Sequence, residues 1–238
     1  MGEQAIKIKD IELVFFKSKK AKSINVSIKP FKGVRVSVPS NISFSKAKNA
    51  VEKKIDWIKK NIIKIKKAES LFTFFDFDSE FKTREHYLKL KRGDFTTLKS
   101  NIRGENINVL IPENLKITDD NVQLEIRNAI ERAWRKEAKS FLPKRVKYLA
   151  SKNNFEYNKV KIQNSKTRWG SCSFDNNINL SLHLMRLPDN LIDYVILHEL
   201  THTKIKNHSN SFWQLLDRVS GDAKGLDRQV KMHRTEIY

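Results

Sequence analysis

Between residues 11 and 38 the apolar positions alternate or cluster as β-branched and aromatic side chains, in three runs at 11–16, 23–28 and 34–38. A period of two, with Lys32-Gly33 before the third run, predicts three short strands and a turn. From Ser43 to Lys67 the period changes. Phe44, Ala47, Val51, Ile55, Ile58 and Ile62 recur three or four apart with lysines on the outer side, which predicts one amphipathic helix over 43–67. Strand character returns at 71–77, 87–90 and 107–111. Asp119-Asp120-Asn121 then opens a long helix through Leu124, Ile126, Ile130, Trp134 and Phe141, with Pro143 expected to kink it.

The last third alternates shorter pieces. Residues 160–162 read as a strand, the Arg168-Trp169-Gly170-Ser171-Cys172 block as a loop, and 178–184 as a strand preceded by the turn residues Asp175-Asn176-Asn177. As an edge strand, 178–184 could pair with an extended peptide. After Pro188-Asp189-Asn190, read as a helix cap, Leu191, Ile192, Tyr194, Val195, Ile196 and Leu197 are apolar almost all the way round, the mark of a buried helix. Further helices are expected over 209–219 and 226–233. The pattern divides the chain at 117/118: a β-rich N-terminal part over 1–117 with the helix 43–67, and a C-terminal domain over 118–238. The fold class is α+β.

Into the buried helix falls His198-Glu199-Leu200-Thr201-His202, and His208 follows six residues later. Two histidines four apart lie about 40° from eclipsed and one turn up, so both imidazoles can reach one ion. Glu199 points about 100° away from His198. There its carboxylate can reach a water on the metal but hardly joins the two-histidine grip. A third ligand must come from beyond the helix, and His208 lies past a helix end expected at Lys206-Asn207. Chance placement of six histidines gives this pattern in about 0.2% of such chains, so a metal site is the better reading.

Composition narrows the setting. With 238 residues, 39% hydrophobic, the chain can bury a real core, and seven glycines and five prolines leave little for long linkers. The single cysteine excludes an internal disulfide and fits a reducing compartment. Charged residues interrupt the apolar ones over 1–16, which predicts no signal peptide and no membrane span, hence a cytoplasmic protein. The net charge of +20 would concentrate nucleic acid or nucleotides around the protein at low salt. Lys dominates Arg, and no aromatic-interleaved basic motif of a nucleic-acid module stands out, so the charge is read first as compositional.

The 166–173 block (Lys-Thr-Arg-Trp-Gly-Ser-Cys-Ser), the 178–182 strand (Ile-Asn-Leu-Ser-Leu), the 194–200 stretch (Tyr-Val-Ile-Leu-His-Glu-Leu), and Asn207-His208-Ser209 with Phe212-Trp213 together resemble the YgjP-like metallopeptidase family, related to the SprT-like zincins. The resemblance implies a zincin-like domain, zinc held by His198, His202 and His208, and Glu199 as general base. Two departures stand out. Ser181 occupies a position where the family usually carries Asn, and Ile205 stands where the similarly spaced metzincins have Gly.

The residues therefore point to a zinc-dependent hydrolase, most simply a metallopeptidase acting on peptide or protein substrates. Two rival readings are a metal-dependent nucleotide phosphohydrolase and a non-enzymatic, metal-stabilised nucleic-acid-binding module. Glu199 argues against the second, because a structural zinc closed by four protein ligands needs no base. Arg168 and Ser171 are candidates for binding substrate. Cys172, Trp169, Phe212 and Trp213 read as packing residues, and His86 and His233 as surface residues. His183 is a candidate to support a ligand, and Asp193, Asp217 and Asp222 are candidates to orient a ligand imidazole.

Overall fold

The computed structural model describes residues 3–29, 33–69 and 73–233, and the chain divides into two compact units. The first comprises residues up to Asp76 together with Asn114–Glu125, and the second comprises Phe77–Glu113 and the chain from Ile126 onward. The boundary expected at 117/118 thus falls inside the first unit, and the strands between 87 and 112 belong with the histidine helix rather than with the N-terminal part.

In the first unit β1 (Glu3–Ile8), β2 (Ile11–Ser18), β3 (Asn25–Lys29) and β4 (Gly33–Pro39) form one sheet in the order β1-β2-β4-β3. Its inward side chains Leu13, Phe15, Val34, Val36 and Val38 are buried with Ala47, Val51, Ile55 and Ile58 of the following helices. The expected helix over 43–67 is two helices, α1 (Phe44–Glu52), capped by the Ser43 hydroxyl, and α2 (Ile55–Glu69). The chain breaks at Lys53, where the Lys54 N–H turns back to the Val51 carbonyl at 2.9 Å. Because Val51, Ile55 and Ile58 keep helical spacing across the break, the apolar period gives no sign of it. The expected turn at Lys32-Gly33 and the start of the expected 71–77 strand lie outside the described residues. The described remainder of that strand is irregular: the Gln123 side-chain amide closes both hydrogen bonds on the Phe75 backbone, at 3.1 and 2.6 Å, in place of a neighbouring strand.

The second unit contains the sheet β5-β7-β6, formed by β5 (Tyr87–Gly93), β6 (Lys99–Arg103) and β7 (Asn106–Pro112). Helix α3 (Asp120–Lys152) opens in the first unit and continues through Pro143 into the second, so the proline does not end it. A second sheet places β10 (Ile178–Ser181) between β8 (Val160–Gln163), parallel to it, and β9 (Gly170–Cys172), antiparallel. This corrects two expectations. The Arg-Trp-Gly-Ser-Cys block carries a strand, and β10 has both flanks occupied, so it cannot be the edge that receives a peptide. β10 also stops at Ser181, whose hydroxyl accepts from the His183 N–H and starts a 3-10 turn over Leu182–Arg186. The histidine helix α4 (Asp189–Thr201), α5 (Asn210–Ser220) and α6 (Ala223–Met232) complete the unit. No helix among the described residues is long and apolar enough to cross a membrane.

Candidate metal centre

Helix α4 is apolar on nearly every side, and burial of Leu191, Ile192, Val195, Ile196 and Leu200 fixes its rotation. Two ion pairs hold its N-terminal half: Arg84 grips Asp189 with both terminal nitrogens at 2.7 and 2.8 Å, and Arg145 grips Asp193. The helix begins at Pro188, which supplies no side-chain cap, and ends earlier than expected, with His202 as its C-cap. The chain then tightens through bonds from the Lys204 and Ile205 N–H groups to the Thr201 carbonyl, and this turn returns His208 to the helix end just before α5.

Three imidazoles converge as a result. The ligand-capable nitrogens of His198, His202 and His208 lie within 4.8 Å of one another, and Nε2 of His198 is 3.1 Å from Nε2 of His208. Two nitrogens sharing a tetrahedral ion at roughly 2.0 to 2.1 Å would stand roughly 3.3 Å apart, so the spacing suits a metal. The His202 Nδ1 lies 3.0 Å from the Ile205 carbonyl oxygen. A carbonyl only accepts, so Nδ1 carries the proton and Nε2 keeps its lone pair for an ion. Burial lowers the His198 pKa to about 4 and also lowers that of His202, keeping both rings neutral. Phe212, fully buried, packs beneath all three rings with centroid distances of 4.5 to 5.0 Å.

Glu199 lies beside this cluster and is 6% exposed. Burial pushes its carboxyl up to about 8, and the Arg168 guanidinium opposes the shift. Gly170 of β9 makes room for it: a methyl group there would come within 2.8 Å of the Glu199 Cγ and Oε1. Glu199 and His198 line a cavity of about 620 Å³ together with Arg168, Trp169 and Gly170.

The structure sorts the remaining sequence candidates. Arg168 joins the cavity, whereas the Ser171 hydroxyl faces Asn179 across the β9–β10 ladder. Cys172 is half-buried, and burial pushes its thiol up, which suits a packing role. His183 packs edge-on against Trp134 and bonds Asn164 rather than supporting a ligand. None of the three acids expected near an imidazole fills that place. Asp193 is taken by Arg145, Asp217 by the Ala223 N–H and Asp222 by the Gly225 N–H. The acid whose charge reaches His198 is Asp227, on α6. Its place on a separate helix left no local signal. His86, expected at the surface, is 2% exposed and hydrogen-bonds the buried Glu137 carboxylate at 2.7 Å.

An α+β unit with a buried His-Glu-x-x-His helix and a third histidine returned to its end defines a metallopeptidase-type domain. The model of the YgjP-like, metallopeptidase domain family matches residues 22–233, and the chain belongs to that family. Two solved structures are similar over part of it. The metallopeptidase zymogen of Pyrococcus abyssi abylysin shares 24% identity over 37% of this chain and 90% of its own, with a TM-score of 0.34. The metallopeptidase zymogen of Methanocaldococcus jannaschii jannalysin shares 25% identity over 37% of this chain and 92% of its own, also with a TM-score of 0.34. No curated protein matches the sequence.

Proposed function

We propose that the chain is a zinc metallopeptidase in which His198, His202 and His208 hold the ion and Glu199 is the general base. The observation that carries this reading is the convergence of three imidazoles, at least two of them held neutral, beside a buried carboxylate that is not one of the set. Three nitrogen donors with a position left over is the ligand count of a catalytic zinc site, and four would be expected of a structural one. Zinc bound there would acidify a water and polarise the scissile carbonyl. In its ionised form, which a cation held by the histidines would favour against burial, Glu199 takes the proton of the attacking water and returns it to the leaving amine. Arg168 favours the charged, proton-accepting form of Glu199.

Strand β9 supports a peptide as substrate. Within its sheet only β10 pairs with it, through bonds from the Ser181 N–H to Trp169 and from the Ser173 N–H to Asn177 at the two ends of the ladder. Antiparallel pairing alternates, so the Gly170 and Cys172 backbones face the open edge. An extended peptide added at that edge would run past Glu199, which touches Gly170.

Two measurements test the reading. Elemental analysis should find about one zinc per chain, and the zinc-loaded protein should cut denatured casein and lose that activity in chelator. Release of phosphate from a nucleotide panel with casein left intact would replace the peptidase reading with a phosphohydrolase one.

A further inference from the structure

The cavity beside Glu199 has a chemical character that the hydrolytic reaction does not require. Its walls include the apolar Trp169, Val195 and Val230, and its cations are Lys166, Arg168 and Lys231. Against them stand two carboxylates, Glu199 at the metal centre and Asp227, and Asp227 lies in an α4–α6 neighbourhood where Lys231 already engages it at 2.5 Å. Arg168 makes no ion pair among the described residues, and its field reaches Glu199. The hydroxyl of Tyr194, also in the lining, is buried beside Asp227. Such a space accepts a group with an apolar stem and an anionic head.

We propose that this cavity is a recognition pocket for a substrate carboxylate, carried by a glutamate side chain or by a peptide's own C-terminus, with Arg168 as the cation that reads it. The inference rests on the peptidase reading and adds the class of substrate. A guanidinium presents a planar fork that meets the two oxygens of a carboxylate together, a geometry a lysine cannot match. The volume of about 620 Å³ lies within the range of ligand sites and admits a long side chain with its flanking backbone. The apolar walls exclude water from the stem and lower the local dielectric, which strengthens the Arg168 contact and penalises a neutral amide left opposite it. A triphosphate, with charge spread over three groups, suits this pocket less well, since one of its three cations is already engaged by Asp227.

The test uses the zinc-loaded full chain with Glu199→Gln, so that binding is read without turnover. Labelled peptides that differ at one scanned position as Glu or Gln, and at the terminus as free acid or amide, are titrated by fluorescence anisotropy. A Glu side chain or a free terminus should bind about ten- to a hundredfold more tightly than its amide counterpart, and the two series tell which source of carboxylate the pocket takes. Adding Arg168→Gln should bring that ratio close to one with zinc content unchanged, and Arg168→Glu should shift preference towards Lys peptides. Equal affinity for acid and amide peptides, or a ratio untouched by Arg168→Gln, overturns the inference. So does displacement of the peptide by a nucleoside triphosphate at lower concentration than by glutamate peptides, which would make the pocket a phosphate site. The same peptides are given to the wild-type zinc protein: peptides that bind with the expected preference yet stay uncut would sink the peptidase reading and leave the pocket standing.

Discussion

The two units bury different kinds of side chain. In the first, the described core is apolar from Ile8 to Ile58, and the one buried polar side chain among the described residues is Gln123, whose amide closes on the Phe75 backbone and the Ile117 carbonyl. The second buries Thr83, His86, Arg127, Glu137, Ser181, His183, Glu199 and Thr201. Burying an ionisable group costs stability unless it is paired, so a fold concentrates such groups where chemistry or positioning needs them. Some are held by hydrogen bonds: one oxygen of Glu137, Oε1, accepts from the Thr83 hydroxyl and the Glu85 N–H and bonds His86, while its Oε2 stays buried without a partner. Glu199 is not bound in that way, and it is the one set beside the histidines. The comparison separates a unit stabilised by packing from one in which packing holds reactive groups.

The contrast breaks most sharply at the ligands. His202→Ala is expected to lose metal and hydrolysis together, because it removes one of the two helical donors and leaves a cavity over Phe212; elemental analysis and casein cleavage read both. His208→Ala should lose most of the metal as well, and unchanged zinc content in that variant would remove His208 from the site. Glu199→Gln comes next. It keeps volume and deletes basicity, so zinc and fold should remain while the rate falls by about 10² to 10⁴. Near wild-type turnover with zinc bound would show that Glu199 is not the base.

What could be read along the chain follows the same division. The helix with His198, Glu199 and His202, and most of the apolar strands, are written locally as periods of 3.6 and 2. Strand β6 was missed because Lys99, Ser100, Asn101 and Arg103 surround a single apolar Ile102, and its pairing with β7 supplies what propensity does not. The strand expected at 71–77 failed the other way. Its aromatic residues carry strand propensity, but the Phe75 backbone is satisfied by a side chain far along the sequence. The three histidines that converge were legible as a group because their spacing is short, whereas Asp227 reaches His198, Gly170 accommodates Glu199 and Glu137 engages His86 only through tertiary packing.

A smaller effect tests the packing side. Ile58 is fully buried in the first unit, so Ile58→Ala should cost about 2 to 5 kcal/mol of that unit's stability, read by urea unfolding. Zinc content of the folded protein should not change. Metal lost in proportion to stability would show that the two units do not divide packing from chemistry as cleanly as their cores suggest.

The smallest expected effect belongs to a buried histidine outside the metal cluster. His183 is fully buried, its Nε2 lies 2.9 Å from the Asn164 Oδ1, and its Nδ1 has no hydrogen-bond partner. Burial, reinforced by the charges of Arg186, Lys166 and Arg135, lowers its pKa from 6.5 to about 4. In the folded chain the ring therefore stays neutral down to about pH 4, while in the unfolded chain it takes up a proton below about 6.5. The unfolded state binds more protons across that window, so stability falls as pH drops from about 6.5 towards 4 and the contribution levels off below. The loss from this one group is at most about 3 kcal/mol, smaller if solvent reaches the ring. Urea unfolding at pH 7 and pH 4.5 should show it as a lower midpoint at the acid end, and His183→Gln, which cannot titrate, should remove that part of the difference. The chelated protein must be used, because protonation of His198 and His202 would otherwise add metal loss in the same range. If the pH dependence of His183→Gln matches that of the wild type, the ring is not held neutral by its surroundings, and the second unit tolerates buried charge better than the comparison with the first implies.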